Sequence, residues 1–281
     1  IREDVESRGL GDVYKRQVLP TGRNMYSINV ETTPGILSWE EGKRLAEATL
    51  KAYRENHNGE YPRKVSYSFW AGEFITTEGA TLAQVFWMLG VEPVRDKMGR
   101  VVDLRLVPSS ELGRPRVNVV VQVSGQLRDI AGSRLTMLTD AVRLVSAADD
   151  KAYPNYVSSG TRLQEKLLVE KGVSPKRARE MSVMRVFGPV NNGYSTGMMA
   201  YTEKSDRWDH ESELVDGYLN NMGAAYGDEE NWGGMQKDLF ASALSETDVV
   251  IQPRQSNTWG PLSLDHVYEF MGGLSLTVKT L

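Results

Sequence analysis

The sequence has no cysteine, which excludes disulfides, thiolate metal sites, iron–sulfur clusters and cysteine nucleophiles. Histidine is nearly as scarce: three residues in 281, His57, His210 and His266, are the only imidazoles available as bases or ligands. Neither sign of charge dominates. Lys and Arg total 33 against 37 Asp and Glu, a net charge of −4, and with no basic stripe nucleic acid is not the expected partner. No apolar run approaches the ~20 residues that a bilayer-spanning helix needs, and no segment has the pattern of a secretory signal. A cytoplasmic protein without a membrane span is therefore expected. There is no Gly-x4-Gly-Lys-[Ser/Thr] phosphate loop, so the chain is not expected to hydrolyse ATP itself. Nor does Gly-x-Gly-x-x-Gly follow any strand, which counts against a generic nucleotide-binding domain.

What is present is a chain long and apolar enough for a real core. Residues 1–17 are charged and without periodicity, and Asp12-Val13-Tyr14-Lys15-Arg16-Gln17 looks like translated sequencing adapter; they are set apart from the fold. Trp39 to His57 reads as a helix with Ser38 as N-cap. Val65 to Trp70 reads as a strand, Ala80 to Leu89 as a helix, Val101 to Leu106 and Val117 to Val123 as further strands, and Leu135 to Val145 as a helix. This alternation predicts an α/β fold, a mostly parallel sheet with flanking helices, over 18–150. After Asp149-Asp150 the chain becomes a more helical α/β region over 151–281. Helices are expected at Gln164 to Lys171, Pro175 to Met181, Ser212 to Asn221, Met235 to Leu244 and Asp265 to Met271, and strands at Val183 to Val190 and Asp248 to Gln252. Leu274 to Leu281 reads as a strand that stops without a turn or cap, as if the chain were an internal piece of a larger multidomain subunit.

The run Val117 to Val123, broken only by Asn118 and Gln122, ends in Ser124-Gly125-Gln126-Leu127-Arg128-Asp129. Arg128 and Asp129 thus fall just past a strand's carboxyl end, where ligand crevices form in open α/β sheets. The same pair also suits a salt bridge tying loop to helix.

Gly113-Arg114-Pro115-Arg116, the apolar strand and Ser-Gly-x-x-Arg-Asp resemble the large subunit of the cobalt and magnesium chelatases, the CobN and magnesium chelatase H family. Further pieces follow in family order: Leu19-Pro20-Thr21-Gly22-Arg23-Asn24; Trp70-Ala71-Gly72-Glu73-Phe74-Ile75-Thr76-Thr77-Glu78-Gly79; Arg185-Val186-Phe187-Gly188; Gly193-Tyr194-Ser195; Trp208-Asp209; Tyr218-Leu219; and Ala225-Tyr226-Gly227. Asp265-His266-Val267-Tyr268-Glu269-Phe270 with Gly272-Gly273 is closer to the cobalt branch. Ala71 and Thr76 stand where the family usually has a glycine and a basic residue, so no role of that basic side chain carries over.

The resemblance implies part of a cobaltochelatase large subunit, a ligase forming nitrogen–metal bonds. Its cargo would be Co²⁺, its substrate a corrinoid or porphyrin macrocycle, and its ATP and Mg²⁺ would act through separate AAA+ chelatase subunits. The family's upstream His-Gly-x-x-Glu segment is absent, so this piece alone is expected to be inactive. Arg128, Asp129 and Glu73 are the candidate catalytic residues. Trp70, Arg185, Tyr194, Ser195 and Tyr268 are the candidate macrocycle contacts, with Met198 and Met199 as further cavity wall. His266 and Asp265 are the candidate metal ligands, since carboxylate and imidazole both suit Co²⁺. Each has a plain structural alternative: Trp70 and the methionines as core packing, Arg185 as part of an internal pair, and Glu73 and Glu78 as first-turn acids favouring a helix dipole. His57 and His210 read as surface residues. A magnesium-inserting relative and a non-catalytic tetrapyrrole-binding scaffold remain the alternatives.

Overall fold

The structure is a computed structural model and describes residues 28–149, 151–190, 193–204, 206, 208–253 and 267–281. Residues 1–17 and the Leu19 to Asn24 motif lie outside the described residues.

A six-stranded sheet organises the chain. Its strands are β1 (Lys64–Phe69), β4 (Asn118–Val123), β5 (Val186–Gly188), β6 (Ala224–Ala225), β7 (Gly234–Met235) and β8 (Val249–Ile251), in the order β7-β6-β5-β4-β1-β8. Four consecutive strands, β8, β1, β4 and β5, run parallel, with β8 at one edge, and β6 and β7 are antiparallel additions at the other. Every residue of β4 is buried, as a strand covered by helices on both faces requires. Successive side chains of a strand point to opposite faces, and the core divides accordingly. Val119, Val121 and Val123 join one apolar cluster, while Val120 joins the other.

The first face is covered by α1 (Ile36–Asn56), α3 (Ala80–Leu89) and α5 (Gly132–Ser146). Nine of the ten residues of α3 are buried, because α1 lies over it and the sheet lies under it. The opposite face is covered by α6 (Tyr156–Glu170), α7 (Pro175–Ser182), α9 (Glu211–Met222), α10 (Lys237–Leu244) and α11 (Gly273–Thr280). The change of character near residue 150 is therefore a change of face: strands from both sides of it share one sheet.

Three local expectations need correction. Val101–Leu106 is a strand, β3, but it pairs antiparallel with β2 (Val91–Arg95) in a separate hairpin instead of joining the main sheet. β2 escapes a sequence reading because Pro93 argues against a strand. The stretch from Leu274 is helical, not extended: Leu274 and Thr277, three apart, are the buried positions, and Leu274 packs into the second core. Such short alternating stretches do not separate helix from strand by periodicity alone. Two short helices at strand exits, α2 (Ala71–Thr76) and α4 (Gly125–Ile130), were not anticipated.

Candidate functional site at the carboxyl ends of the parallel strands

Three strand exits meet at the carboxyl ends of β1, β4 and β5. After β4, Ser124 caps α4 by accepting from the Leu127 N–H at 3.3 Å, so the chain turns at once into a helix. Gly125 allows the next loop to close on it: a Cβ there would lie 2.3 Å from the Gly193 carbonyl oxygen and 2.9 Å from the Tyr194 ring. The expected crevice position of Arg128 and Asp129 is thus occupied by a tightly apposed pair of loops.

Within this arrangement the two residues differ. The Arg128 side chain is buried, at 7% exposure, whereas that of Asp129 is 44% exposed. Arg128 Nε donates to Asp129 Oδ1 at 2.8 Å, and Nη1 donates to the Pro189 carbonyl at 3.2 Å and to Tyr226 Oη at 3.3 Å. Its guanidinium also lies 5.3 Å from the Tyr226 ring centroid, in cation–π range. Burial works against the guanidinium charge, but the bonds to Asp129 and Tyr226 outweigh it and raise the pKa of Arg128. The same guanidinium holds the Asp129 carboxyl below its usual range, assisted by Tyr194 Oη, which donates to Asp129 Oδ2 at 3.1 Å. The salt bridge is therefore present at the strand exits themselves. Arg128 ties α4 to the β5 exit, and Asp129 presents a charged carboxylate to the Tyr194 loop.

A second clasp holds residues 195–199. The chain returns from outside the described residues as a π-helical turn, Val267–Gly272, a geometry frequent at functional sites. Its Glu269 accepts from the Ser195 hydroxyl, from Gly197 N–H at 3.1 Å and from Met199 N–H at 2.8 Å, while Thr196 Oγ1 donates to the Glu269 carbonyl at 2.6 Å. Burial works against its charge, yet these donors keep the Glu269 carboxyl below its ordinary value. Tyr194 and Tyr268, 55% and 52% exposed, are the aromatic faces left open to solvent here.

The remaining candidates separate. Trp70 is buried, its ring 4.0 Å from that of Phe270, so that face is already covered. Met198 is core, packed in the second apolar cluster, and Met199 is half-buried. Glu73 is buried in α2, where Oε1 accepts from Thr77 and Thr81 hydroxyls at 2.9 and 2.8 Å. Burial raises its carboxyl pKa, and those hydrogen bonds oppose the shift without cancelling it. It lines a cleft of about 880 Å³ between α1, α2 and α3 that includes Leu45, Ala48, Thr81 and Ile251 but none of Arg128, Asp129, Tyr194 or Ser195. Arg185 sits at the start of β5 and reaches Asn118 at the start of β4, so it lies toward the amino ends of the strands, away from the Arg128 crevice. Asp265 and His266 lie outside the described residues, and among the described residues no group of three or more His, Cys, Asp or Glu could hold a metal ion. His57 stacks on Tyr53, and His210 precedes α9; both are on the surface.

Sequence reasoning missed Gln122, Tyr226 and Glu269 as site-building residues. Gln122 joins the faces of the site: Nε2 donates to Ser68 Oγ at 2.5 Å and to the Phe270 carbonyl at 3.0 Å, and Oε1 accepts from the Tyr218 hydroxyl. The signal for it was present, since a polar residue inside an otherwise apolar buried strand must find partners.

Residues 4–281 match the family described as CobN/Magnesium Chelatase. The aerobic cobaltochelatase subunit CobN of Sinorhizobium sp is 31% identical over 94% of this chain and 20% of its own length. The chloroplastic magnesium-chelatase subunit ChlH of Oryza sativa subsp. indica is 32% identical over 90% of this chain and 18% of its own. A solved structure, the catalytic subunit of cobaltochelatase from Mycobacterium tuberculosis, superposes with a TM-score of 0.84 at 34% identity, covering 94% of this chain and 22% of that one. The chain thus spans about a fifth of the length of these relatives. With the family match running nearly end to end and the fold shared at that level, the chain belongs to the CobN/magnesium chelatase family.

Proposed function

We propose that this chain is part of the tetrapyrrole-binding large subunit of an ATP-dependent cobaltochelatase, a cytoplasmic ligase inserting Co²⁺ into hydrogenobyrinic acid a,c-diamide in cobalamin synthesis. The observation that carries the reading is the cluster of side chains at the carboxyl ends of β1, β4 and β5. There the Asp129 carboxylate, paired with Arg128, accepts from the hydroxyl of the exposed Tyr194, beside Ser195 and Tyr268. Broad aromatic faces suit a flat macrocycle. Ionised and hydrogen-bonding groups at the same rim suit its polar periphery.

Metal insertion exchanges ring-nitrogen protons for a divalent cation, so a base is needed. Asp129, whose carboxyl the Arg128 hydrogen bond holds below its usual range, is a poor acceptor near neutrality and serves as a positioning charge. Glu73, whose carboxyl is raised by burial, is better matched to accept a proton near working pH. Its cleft is separate from the Asp129 rim, so Glu73 acts only where the macrocycle or a water chain reaches between the two. Asp265 and His266 are the proposed cobalt-delivering pair. ATP would be hydrolysed with Mg²⁺ on AAA+ partner subunits, and this piece alone is inactive.

The magnesium reading has its own support, since the rice magnesium-chelatase subunit is as similar to this chain as the CobN proteins are. The cobalt branch is favoured by the Asp265 to Gly273 motif, whose Glu269 builds the clasp on residues 195–199. The deciding experiment gives the full-length subunit and its AAA+ partners ATP with either Co²⁺ and the corrinoid or Mg²⁺ and protoporphyrin IX. A cobalt-dependent spectral change supports the reading. Turnover only with magnesium, or with neither, refutes it.

A further inference from the structure

The amino ends of the same strands enclose a second cavity, at the opposite end of the sheet from the Arg128 crevice. It measures about 240 Å³ and is walled by Lys64 of β1, Asn118 of β4, Arg185 before β5, Gly160 of α6 and Ser242 of α10. That is below the ~300 to 1,000 Å³ typical of organic ligand and cofactor pockets. A small ion with a few waters is the scale it suits.

Its walls carry more positive than negative charge: Arg63, Lys64 and Arg185 line it against one carboxylate, Glu246. Arg185 is 1% exposed, and its hydrogen-bond acceptors are neutral. They are Asn118 Oδ1 at 3.0 Å, Gln164 Oε1 at 2.6 Å, Thr161 Oγ1 at 3.2 Å and the Ser182 and Met184 carbonyls at 2.7 and 2.8 Å. Among the described residues neither the Lys64 ammonium nor the Arg185 guanidinium forms an ion pair, and the nearby Asp248 carboxylate accepts instead from the Arg63 and Lys64 backbone N–H groups at 2.6 and 3.0 Å. Donor capacity is also left over. Lys64 Nζ donates to the Ser245 carbonyl, which uses one of its three N–H groups, and Arg185 Nη2 has one acceptor for its two. Among the described residues the buried Ser242 hydroxyl has no hydrogen-bond partner.

A buried arginine need not signal a ligand. Arg116, also 1% exposed, spends Nη1 and Nη2 on the Gly90 and Val107 carbonyls, and the backbone closes directly on it. What distinguishes the Lys64 cavity is open volume, a second cation and an unpartnered hydroxyl at one place. The electrostatics agree: burial and the neighbouring Arg185 push the Lys64 ammonium down to about 8, against the opposing pull of Glu246 and Asp248. A buried guanidinium beside a half-buried ammonium favours an anion between them.

We propose that this cavity is a binding site for a small divalent oxyanion of the phosphate or sulfate class, held by Lys64 Nζ, the uncommitted Nη2 N–H of Arg185 and Ser242 Oγ. It is independent of the tetrapyrrole reading and stands or falls without it.

The test titrates the full-length subunit with sodium sulfate by calorimetry, at constant ionic strength in chloride. Wild type should show saturable binding. Lys64→Met should weaken it at least tenfold while leaving the subunit equally or more resistant to unfolding in sulfate-free buffer, because one of two like charges is gone. Sulfate should also slow amide exchange in α6 and α10 of the wild type but not of Lys64→Met. Ser242→Ala, which leaves the charges untouched, should weaken binding several-fold and serves if Lys64→Met fails to fold. Absence of saturable binding in wild type, or equal binding by a folded Lys64→Met subunit, overturns the proposal.

Discussion

Arg128 and Asp129 are adjacent and bonded to each other, yet their replacement should have opposite profiles. Arg128→Ala removes a buried guanidinium from Tyr226 and Pro189. The cation–π contact is worth ~0.5 to 1 kcal/mol, and the two hydrogen bonds at 3.2 and 3.3 Å together about 1 kcal/mol. The buried stem adds about another 1 kcal/mol of packing. A local loss near 3 kcal/mol corresponds to roughly a hundredfold rise in opening of α4, at ~1.4 kcal/mol per factor of ten. Asp129→Ala breaks a pair whose carboxylate is 44% exposed, so solvent screening limits its cost to at most ~1 kcal/mol, about fivefold. It does, however, release Tyr194 from its acceptor. Amide exchange of residues 125–130 in the full-length subunit reads the first quantity, and quenching of tryptophan fluorescence by the corrinoid reads macrocycle binding. Asp129→Ala should weaken binding at least tenfold with little change in exchange. Unchanged binding in Asp129→Ala, or binding losses that simply track α4 opening in both variants, would refute the reasoning.

Two further outcomes follow from the same geometry. Glu73 has a folded pKa above its unfolded one, so its stabilising contribution is complete below the unfolded value and is lost as pH rises through the folded value. Glu73→Gln should therefore be more stable than wild type at pH 7 to 8, the advantage fading as pH falls into the ordinary carboxylate range, while metal insertion by the full-length subunit falls; a variant less stable at every pH would contradict this. Gly125→Ala would place a Cβ 2.3 Å from the Gly193 carbonyl. Overpacking of this kind costs ~1 to 3 kcal/mol, and limited proteolysis should find the Gly193 to Ser195 loop more readily cut than in wild type, whereas unaltered cleavage would show that the loops do not meet there.

Much of the architecture was written locally. Ala80–Leu89 is apolar on nearly every side and stands between Gly79 and Gly90, both in left-handed conformation, so its ends were marked by residue type as well as by pattern. The β4 run and its Ser-Gly exit likewise announced a buried strand entering a helix. What the sequence did not reveal depends on the fold as a whole. Whether Trp70 and Met198 line a cavity or fill the core is decided by Phe270 and by α9, both far along the chain. Arg185 reads as a macrocycle contact by residue type, but the parallel register carries it to the amino ends of the strands. Asn118 and Gln122 were visible only as interruptions in an apolar run. Each proves to be a hydrogen-bonding hub, one for Arg185 and one for the π-helical turn. Arg128 and Asp129 could be placed past a strand's carboxyl end from order alone, while the meeting of Asp129 with Tyr194 and the separation of Glu73 from both required the structure.

The central claim is that the macrocycle sits at the carboxyl ends of β1, β4 and β5. Its most direct test is a structure of the full-length subunit with the metal-free corrinoid bound. The account predicts the ring against Tyr194 and Tyr268 with a peripheral group near the Asp129 and Ser195 rim. A macrocycle bound elsewhere, making no contact with those side chains, would contradict it.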